Sequence, residues 1–257
     1  MATKKVLITG ATGKQGGAVL EALLASKADF QILVLTRGAS KAQAFASKSN
    51  VTVIQGDVTN PSSIFEANKP IYGVSCVTTP GRAGAEEAQA KPLIDESIKN
   101  GVEHFVFSSV DRGGPKSDIN PTNIEHFASK HRIEEYLKEK CGNGSKMSYT
   151  ILRPVAFMDN LLPNFFGKGF ASMWAGVGDR PLQLDIGLFG ARAFTDPLFN
   201  GRAISLAGDE LTLAQGKKVF KDSLGYDMPE TFGFVGAGLQ FMIKEMGTMF
   251  SWFKNEG

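Results

Sequence analysis

The chain has 257 residues, enough for a sizeable core, with 28 Lys and Arg against 26 Asp and Glu and a formal net charge of +2. Near-balanced charge without a basic block argues against direct nucleic-acid binding, while leaving a protein partner open. The two cysteines, Cys76 and Cys141, fit neither metal-ligand spacing nor a disulfide framework, so no metal is expected.

Met1-Ala2-Thr3-Lys4-Lys5 leads straight into an apolar strand, which leaves no room for a signal peptide. That strand runs into Gly10-Ala11-Thr12-Gly13-Lys14-Gln15-Gly16, after which the apolar pattern becomes helical. Strand, glycine turn and helix in this order form the dinucleotide-binding beginning of a doubly wound α/β domain. Gly10 permits the tight turn, Gly13 lets backbone amides approach a pyrophosphate, and Gly16 lets the helix lie close to the strand. The G-x-x-G-x-x-G spacing resembles the short-chain dehydrogenase/reductase version of the turn.

A first helix runs to about Ser26, and Phe30 to Thr36 reads as a buried second strand ending at Arg37, with Lys41 a turn later. The end of this strand meets the adenosine ribose in such folds. A guanidinium there suits a 2′-phosphate, so NADP(H) is expected in preference to NAD(H). Val51 to Gln55 is the third strand. Asp57 beyond it either accepts from an adenine amino group, with Val58 packing on the ring, or helps cap the helix entered at Pro61. Val74 to Val77 is a fourth strand ending in Thr78-Thr79-Pro80, and Gly84 to Lys99 is a helix stopped by Gly101.

Phe105 to Val110 is the fifth strand, carrying Ser108 and Ser109 where a short-chain reductase has its substrate-polarising serine. A long helix over about Pro121 to Lys140 places His126 and Lys130 on one face. A short-chain reductase needs Tyr-x-x-x-Lys here, the lysine lowering the tyrosine's pKa and holding the nicotinamide ribose. The lysine position is filled; the tyrosine position holds His126. Imidazole can do acid–base work near neutrality, but its shorter ring places the proton elsewhere, and a surface histidine without a catalytic role is the competing reading.

The sixth strand, Ser148 to Arg153, leads into Pro154 to Asn160, after which the composition shifts. Asp185 to Asp196 and Leu211 to Leu224 read as helices flanking a strand at Ala203 to Leu206. Phe232 to Phe253 is crowded with Phe, Met and Gly, as in a core or interface helix, a lid or a docking face. The expected architecture is a Rossmann-type doubly wound parallel sheet over residues 1–155 and a smaller C-terminal α/β lobe over 156–257, with a discontinuous division as the variant. No apolar run is long and uncharged enough to span a bilayer, so a cytoplasmic protein is expected, also nuclear if regulatory.

Together Gly10 to Gly16, Phe107-Ser108-Ser109-Val110, His126-Phe127-Ala128-Ser129-Lys130 and Arg153-Pro154 resemble the NmrA-like family of atypical short-chain dehydrogenases/reductases, in its fungal form. The resemblance implies that Gly10 to Gln15 wrap the pyrophosphate and Arg37 meets the 2′-phosphate. Asp57 and Val58 would bracket the adenine, and Thr78, Thr79 and Pro80 would line the nicotinamide half. Lys130 would hold the ribose, and Phe157, Met158, Asp159 and Asn160 would close over the nicotinamide. Members are reductases of small apolar or aromatic molecules, or redox sensors that regulate a protein partner such as a transcription factor, acting as monomers or homodimers. The regulators share the loss of the catalytic tyrosine, so His126 leaves an oxidoreductase, with Lys130, His126, Ser108 and Ser109 as its catalytic candidates, beside a sensor. Two departures from the family pattern stand out: a short connection at Gln183-Leu184-Asp185-Ile186-Gly187, and an end at Gly257 where relatives continue.

Overall fold

A computed structural model describes residues 3–256 apart from 27, 39–42, 143–145, 177–181, 185–187, 232, 234, 235, 237, 239, 240, 242 and 243. Lys41, Gly257 and residues 185–187 of the short connection therefore lie outside the described residues, as do several positions of the Phe- and Met-rich stretch.

The first half alternates strand and helix: β1 (Lys4–Ile8), α1 (Lys14–Ala25), β2 (Phe30–Thr36), α2 (Gln43–Ala46), β3 (Val51–Gln55), α3 (Ser62–Asn68), β4 (Gly73–Cys76) and α4 (Ala85–Lys99). Then follow β5 (His104–Ser108), α5 (Glu125–Lys140), β6 (Ser148–Pro154), α6 (Phe165–Ala175), β7 (Leu182–Leu184), α7 (Phe189–Thr195), β8 (Arg202–Leu206), β9 (Asp209–Leu211), α8 (Leu213–Leu224) and a last helix, Lys244–Asn255. The main sheet has the order β3-β2-β1-β4-β5-β6-β8, and β7 pairs antiparallel with β9. Neighbours from β3 across to β6 are parallel. This is the expected Rossmann-type α/β fold, and its strand order reverses between β1 and β4, the place where such sheets open a ligand crevice.

Buried strands explain the near-continuous apolar runs: Val6, Leu7, Ile8, Val34, Val74, Phe105 and Phe107 are fully buried. Two differences from the sequence reading have local causes. The long helix starts at Glu125 because Thr122 takes a left-handed φ of 61° and its amide bonds the Asn120 side chain, a turn that delays helix entry. The fifth strand ends at Ser108, since Asp111 accepts the amides of Gly113 and Gly114 at 2.9 Å and turns the chain.

The chain divides into two compact units. The first comprises Met1–Val110, Ser129–Arg153 and Gly187–Ile204; the second comprises Asp111–Ala128, Pro154–Ile186 and Ser205–Gly257. The core of the first gathers Leu7, Phe65, Leu93, Phe105, Phe107 and Ile151 between sheet and helices. In it α7 packs on α1 so tightly that a Cβ on Gly190 would sit 2.4 Å from a Val19 methyl. The second unit has its own core of Phe170, Met173, Trp174, Phe220 and Phe250. Among the described residues no helix is long and apolar enough to cross a membrane.

Candidate functional site

In the first unit the carboxyl ends of β1, β2, β4 and β5 carry Thr9-Gly10, Arg37, Val77-Thr78 and Ser109. Gly10 takes a φ of +66° and accepts the Gly13 amide at 2.9 Å, which closes the turn off β1. The helix then rises directly over the turn: a Cβ on Gly16 would lie 2.4 Å from the Gly10 carbonyl oxygen. α1 has Gly13 as its N-cap, a residue with no side chain to cap the helix. Three-glycine closeness, a helix start with a glycine N-cap and an adjacent switch point meet the requirements of a pyrophosphate. Thr9 stitches the crevice floor: its hydroxyl donates to the Val77 carbonyl at 3.0 Å and accepts the Val77 amide at 2.8 Å.

Arg37 is exposed at the end of β2, its carbonyl accepting from Gln55 Nε2 at 3.3 Å. Asp57, beyond β3, closes a turn of its own: Oδ1 accepts the Thr59 amide at 2.8 Å and hydroxyl at 2.9 Å. Those bonds, led by the amide, hold its carboxyl below the usual carboxylate range, with the Arg37 charge adding to them. Val58 packs on the core. The α3 N-cap is Pro61.

Lys130 is the buried centre of the site. Its Nζ donates to Thr78 Oγ1 at 2.7 Å and to the Ser108 carbonyl at 2.8 Å, with Glu86 Oε1 at 3.3 Å. Thr78 in turn donates its hydroxyl to Glu86 Oε1 at 2.7 Å. Burial lowers the Lys130 pKa from its ordinary value, and the Glu86 charge opposes that shift. Burial also pushes the neighbouring Cys76 thiol up to about 12, so it stays protonated. Thr79 and Pro80 are exposed, and Gln89 brackets the Thr79 backbone, accepting its amide at 3.0 Å and donating to its carbonyl at 2.9 Å.

The two candidate serines belong to different networks. Ser108 donates to Gln15 Oε1, joining β5 to the first turn of α1. Ser109 is buried and donates to Glu134 Oε1, while Arg153 grips the same carboxylate at 2.6 Å. In the second unit, His126 is half-buried in the first turn of α5, where its amide donates to Glu245 Oε1 at 3.0 Å. Also in that unit, Met158 to Leu161 form a 3-10 turn, with the Asn160 amide on the Phe157 carbonyl at 2.9 Å.

Glu86, Gln89 and Thr9 are site residues that sequence reasoning missed. Glu86 sits beside Glu87 in a polar helix start, where both look like solvated acids; a threonine at a strand end has no signature of a clamp. The one readable hint is that Glu86 opens the helix that follows the crevice strand β4.

The NmrA-like family model matches residues 2–257. The chain belongs to the NmrA-like family. This NmrA-like chain is 30% identical over 184 residues to the NmrA-like family domain-containing oxidoreductase lnaB of Aspergillus flavus, an alignment covering 67% of this chain and 52% of that protein. It thus spans about half the length of that relative. It is 27% identical over 236 residues to quinone oxidoreductase 2 of Escherichia coli, covering 85% of this chain and 77% of the relative. Among solved structures, an Escherichia coli NADPH-dependent quinone oxidoreductase complexed with NADPH matches with a TM-score of 0.72 at 22% identity, over 97% of this chain and 88% of that one. Nmra, described as a negative transcriptional regulator, matches with a TM-score of 0.70 at 18% identity, over 98% and 83%. At these identities the structural matches establish the fold of an NmrA-like protein.

Proposed function

We propose that this NmrA-like chain binds NADP(H) at the ends of β1, β2 and β4 and is an oxidoreductase acting on a small, electron-poor conjugated acceptor of the quinone class. The carrying observation is the turn in which Gly16 lies against the Gly10 carbonyl beneath a helix whose N-cap is a glycine. Backbone amides from Gly10 to Gly16 hold the pyrophosphate, and Arg37 pairs with the 2′-phosphate, giving preference over NAD(H). Thr79 and Pro80 face the nicotinamide half.

The nicotinamide supplies hydride when bound. A quinone gains one hydride and one proton to become a hydroquinone. Lys130 contributes a fixed positive charge near the ends of β4 and β5, favouring the oxygen on which negative charge develops. The missing tyrosine supports this acceptor class. A simple ketone yields a strongly basic alkoxide that needs an acid at once, whereas a quinone yields a phenolate-like oxygen that takes its proton from water. The resemblance to a quinone oxidoreductase of Escherichia coli agrees with this chemistry.

Calorimetric titration with NADPH and NADH, beside turnover on quinones, enones and ketones, tests the reading. Tighter binding of NADPH and turnover confined to the electron-poor acceptors is the expected result. Replacing His126 by Phe should cost quinone turnover far less than the roughly 10²–10⁴-fold contribution of a general acid. Tight NADPH binding with background oxidation throughout would overturn the enzymatic part. It would favour the second reading that His126 motivates, a nucleotide sensor whose affinity for a protein partner such as a transcription factor changes with bound NADP(H). Pull-downs recovering the same partners with and without NADP(H) would count against that alternative.

A further inference from the structure

A buried lysine and a buried glutamate, both under 5% exposed, face one another across two elements of the first unit. Glu86 comes from the first turn of α4, whose N-cap Gly84 offers no side chain, so the helix dipole favours an anion at that position. Lys130 comes from α5. Glu86 Oε1 receives the Thr78 hydroxyl and the ammonium, and Thr78 receives the ammonium as well, so the three polar groups close a triangle. The third Lys130 proton goes to the Ser108 carbonyl. Around the ammonium stand Glu86 from α4, the protonated Cys76 from β4, Glu134 one turn further along α5, and the Phe107 ring of β5 at 5.1 Å. Glu134 is already gripped by Arg153, which leaves Glu86 as the anion whose carboxylate reaches the ammonium.

We infer that Glu86 is a positioning residue: it holds Lys130 as an ammonium at the ends of β4 and β5 and so sets the charge that a dinucleotide meets there. The inference rests on the reading of Lys130 as part of the NADP(H) site. A buried ammonium without an anion sheds its proton, and the crevice loses a fixed positive charge. Glu86 is 3% exposed and bonded to Thr78 and Lys130, so its action on the site runs through Lys130.

The test uses the full chain as Glu86→Gln, Glu86→Asp, Lys130→Met and the Glu86→Gln/Lys130→Met double variant. Titration of ¹⁵N-labelled lysine amines by NMR, with the Lys130 signal assigned by its loss in Lys130→Met, should show the midpoint falling by about 1–3 pH units in Glu86→Gln. Glu86→Asp should return it toward the wild-type value. NADPH affinity, measured by calorimetry against pH, should weaken at lower pH in Glu86→Gln than in the wild type. In the Lys130→Met background, Glu86→Gln should change the NADPH Kd by less than about twofold. An unchanged Lys130 midpoint in folded Glu86→Gln, or losses of NADPH affinity that add in the double variant, overturns the inference. If Glu86→Gln alone does not fold, the comparison of Lys130→Met with the double variant decides, since an added loss there contradicts action through Lys130. A wild-type chain that fails to bind NADPH overturns the proposed cofactor site, while the amine titration still reads the Glu86–Lys130 coupling separately.

Discussion

The Arg153 guanidinium meets the Glu134 carboxylate at 2.6 Å, with the two side chains 3% and 0% exposed. Arg153 Nε lies 3.2 Å from each oxygen of this carboxylate, and Ser109 donates its hydroxyl to Oε1. Such a pair contributes little net stability when whole, yet either half alone is an uncompensated buried charge. Glu134→Ala should therefore lower the unfolding free energy by about 3–5 kcal/mol in urea titrations. Glu134→Leu/Arg153→Met should recover a large share of it. Equal losses in the single and double variants would contradict the account.

The proposed preference for NADP(H) rests on Arg37. Arg37→Ser should weaken NADPH binding by about 1.5–3 kcal/mol, the range of a hydrogen bond to a charged group, or roughly 10- to 100-fold. Binding of NADH should barely move. Comparable losses for both nucleotides, measured by calorimetry, would show that Arg37 supports the loop and not the phosphate.

Gly16→Ala tests the turn itself. The new methyl would lie 2.4 Å from the Gly10 carbonyl oxygen and 2.7 Å from the Ala11 nitrogen, and backbone has nowhere cheap to go. A loss of about 1–3 kcal/mol in stability, typical of overpacking, should accompany a much larger fractional loss of NADPH affinity. Retention of wild-type affinity would remove the main support for a pyrophosphate site.

His104 gives the fold a pH dependence of known sign. Thr150 spends its hydroxyl proton on the Phe199 carbonyl at 3.0 Å, so His104 Nε2 at 3.0 Å must be the donor to Thr150 and Nδ1 carries no proton. Nδ1 is buried without a partner among the described residues, and burial lowers the ring's pKa from 6.5 to about 4. The unfolded chain then binds the extra proton between those values, and stability falls as pH drops through 6.5 toward about 4. The loss approaches about 2 kcal/mol near pH 5 and about 3 kcal/mol at the acid limit. Urea midpoints of wild type and His104→Gln followed from neutral to acid should converge.

Local chemistry made the fold readable. Phe30–Thr36 and Val51–Gln55 are strands over the residues their apolar runs and flanking turns mark out. Gly10 announces its turn because only a residue without a Cβ sits easily at its φ. The helix predicted from Asp185 begins at Phe189 among the described residues, and the one read from Leu211 begins after Thr212, which closes a capping box with Gln215. Glu86 and Glu87 show where sequence stops: neighbours of one type, one is buried against Lys130 and the other pairs with Lys91 and Arg132 near the surface. Their fates depend on how α4 rolls against the strand ends, which no window of sequence contains. Ser108 and Ser109 divide in the same way: Ser108 ends β5 and bonds Gln15, while Ser109, just beyond the strand, bonds Glu134.

Thr9, just beyond β1, adds two hydrogen bonds through one hydroxyl to Val77 at the end of β4, beside its own amide's bond to the Ser75 carbonyl at 2.9 Å. The spacing of the two strand ends is thereby held by the chain's own bonds. For the proposed dinucleotide, that means a site it need neither pry open nor hold shut. Thr9→Val, which keeps the shape and removes both hydroxyl bonds, would leave that spacing to the backbone bond alone.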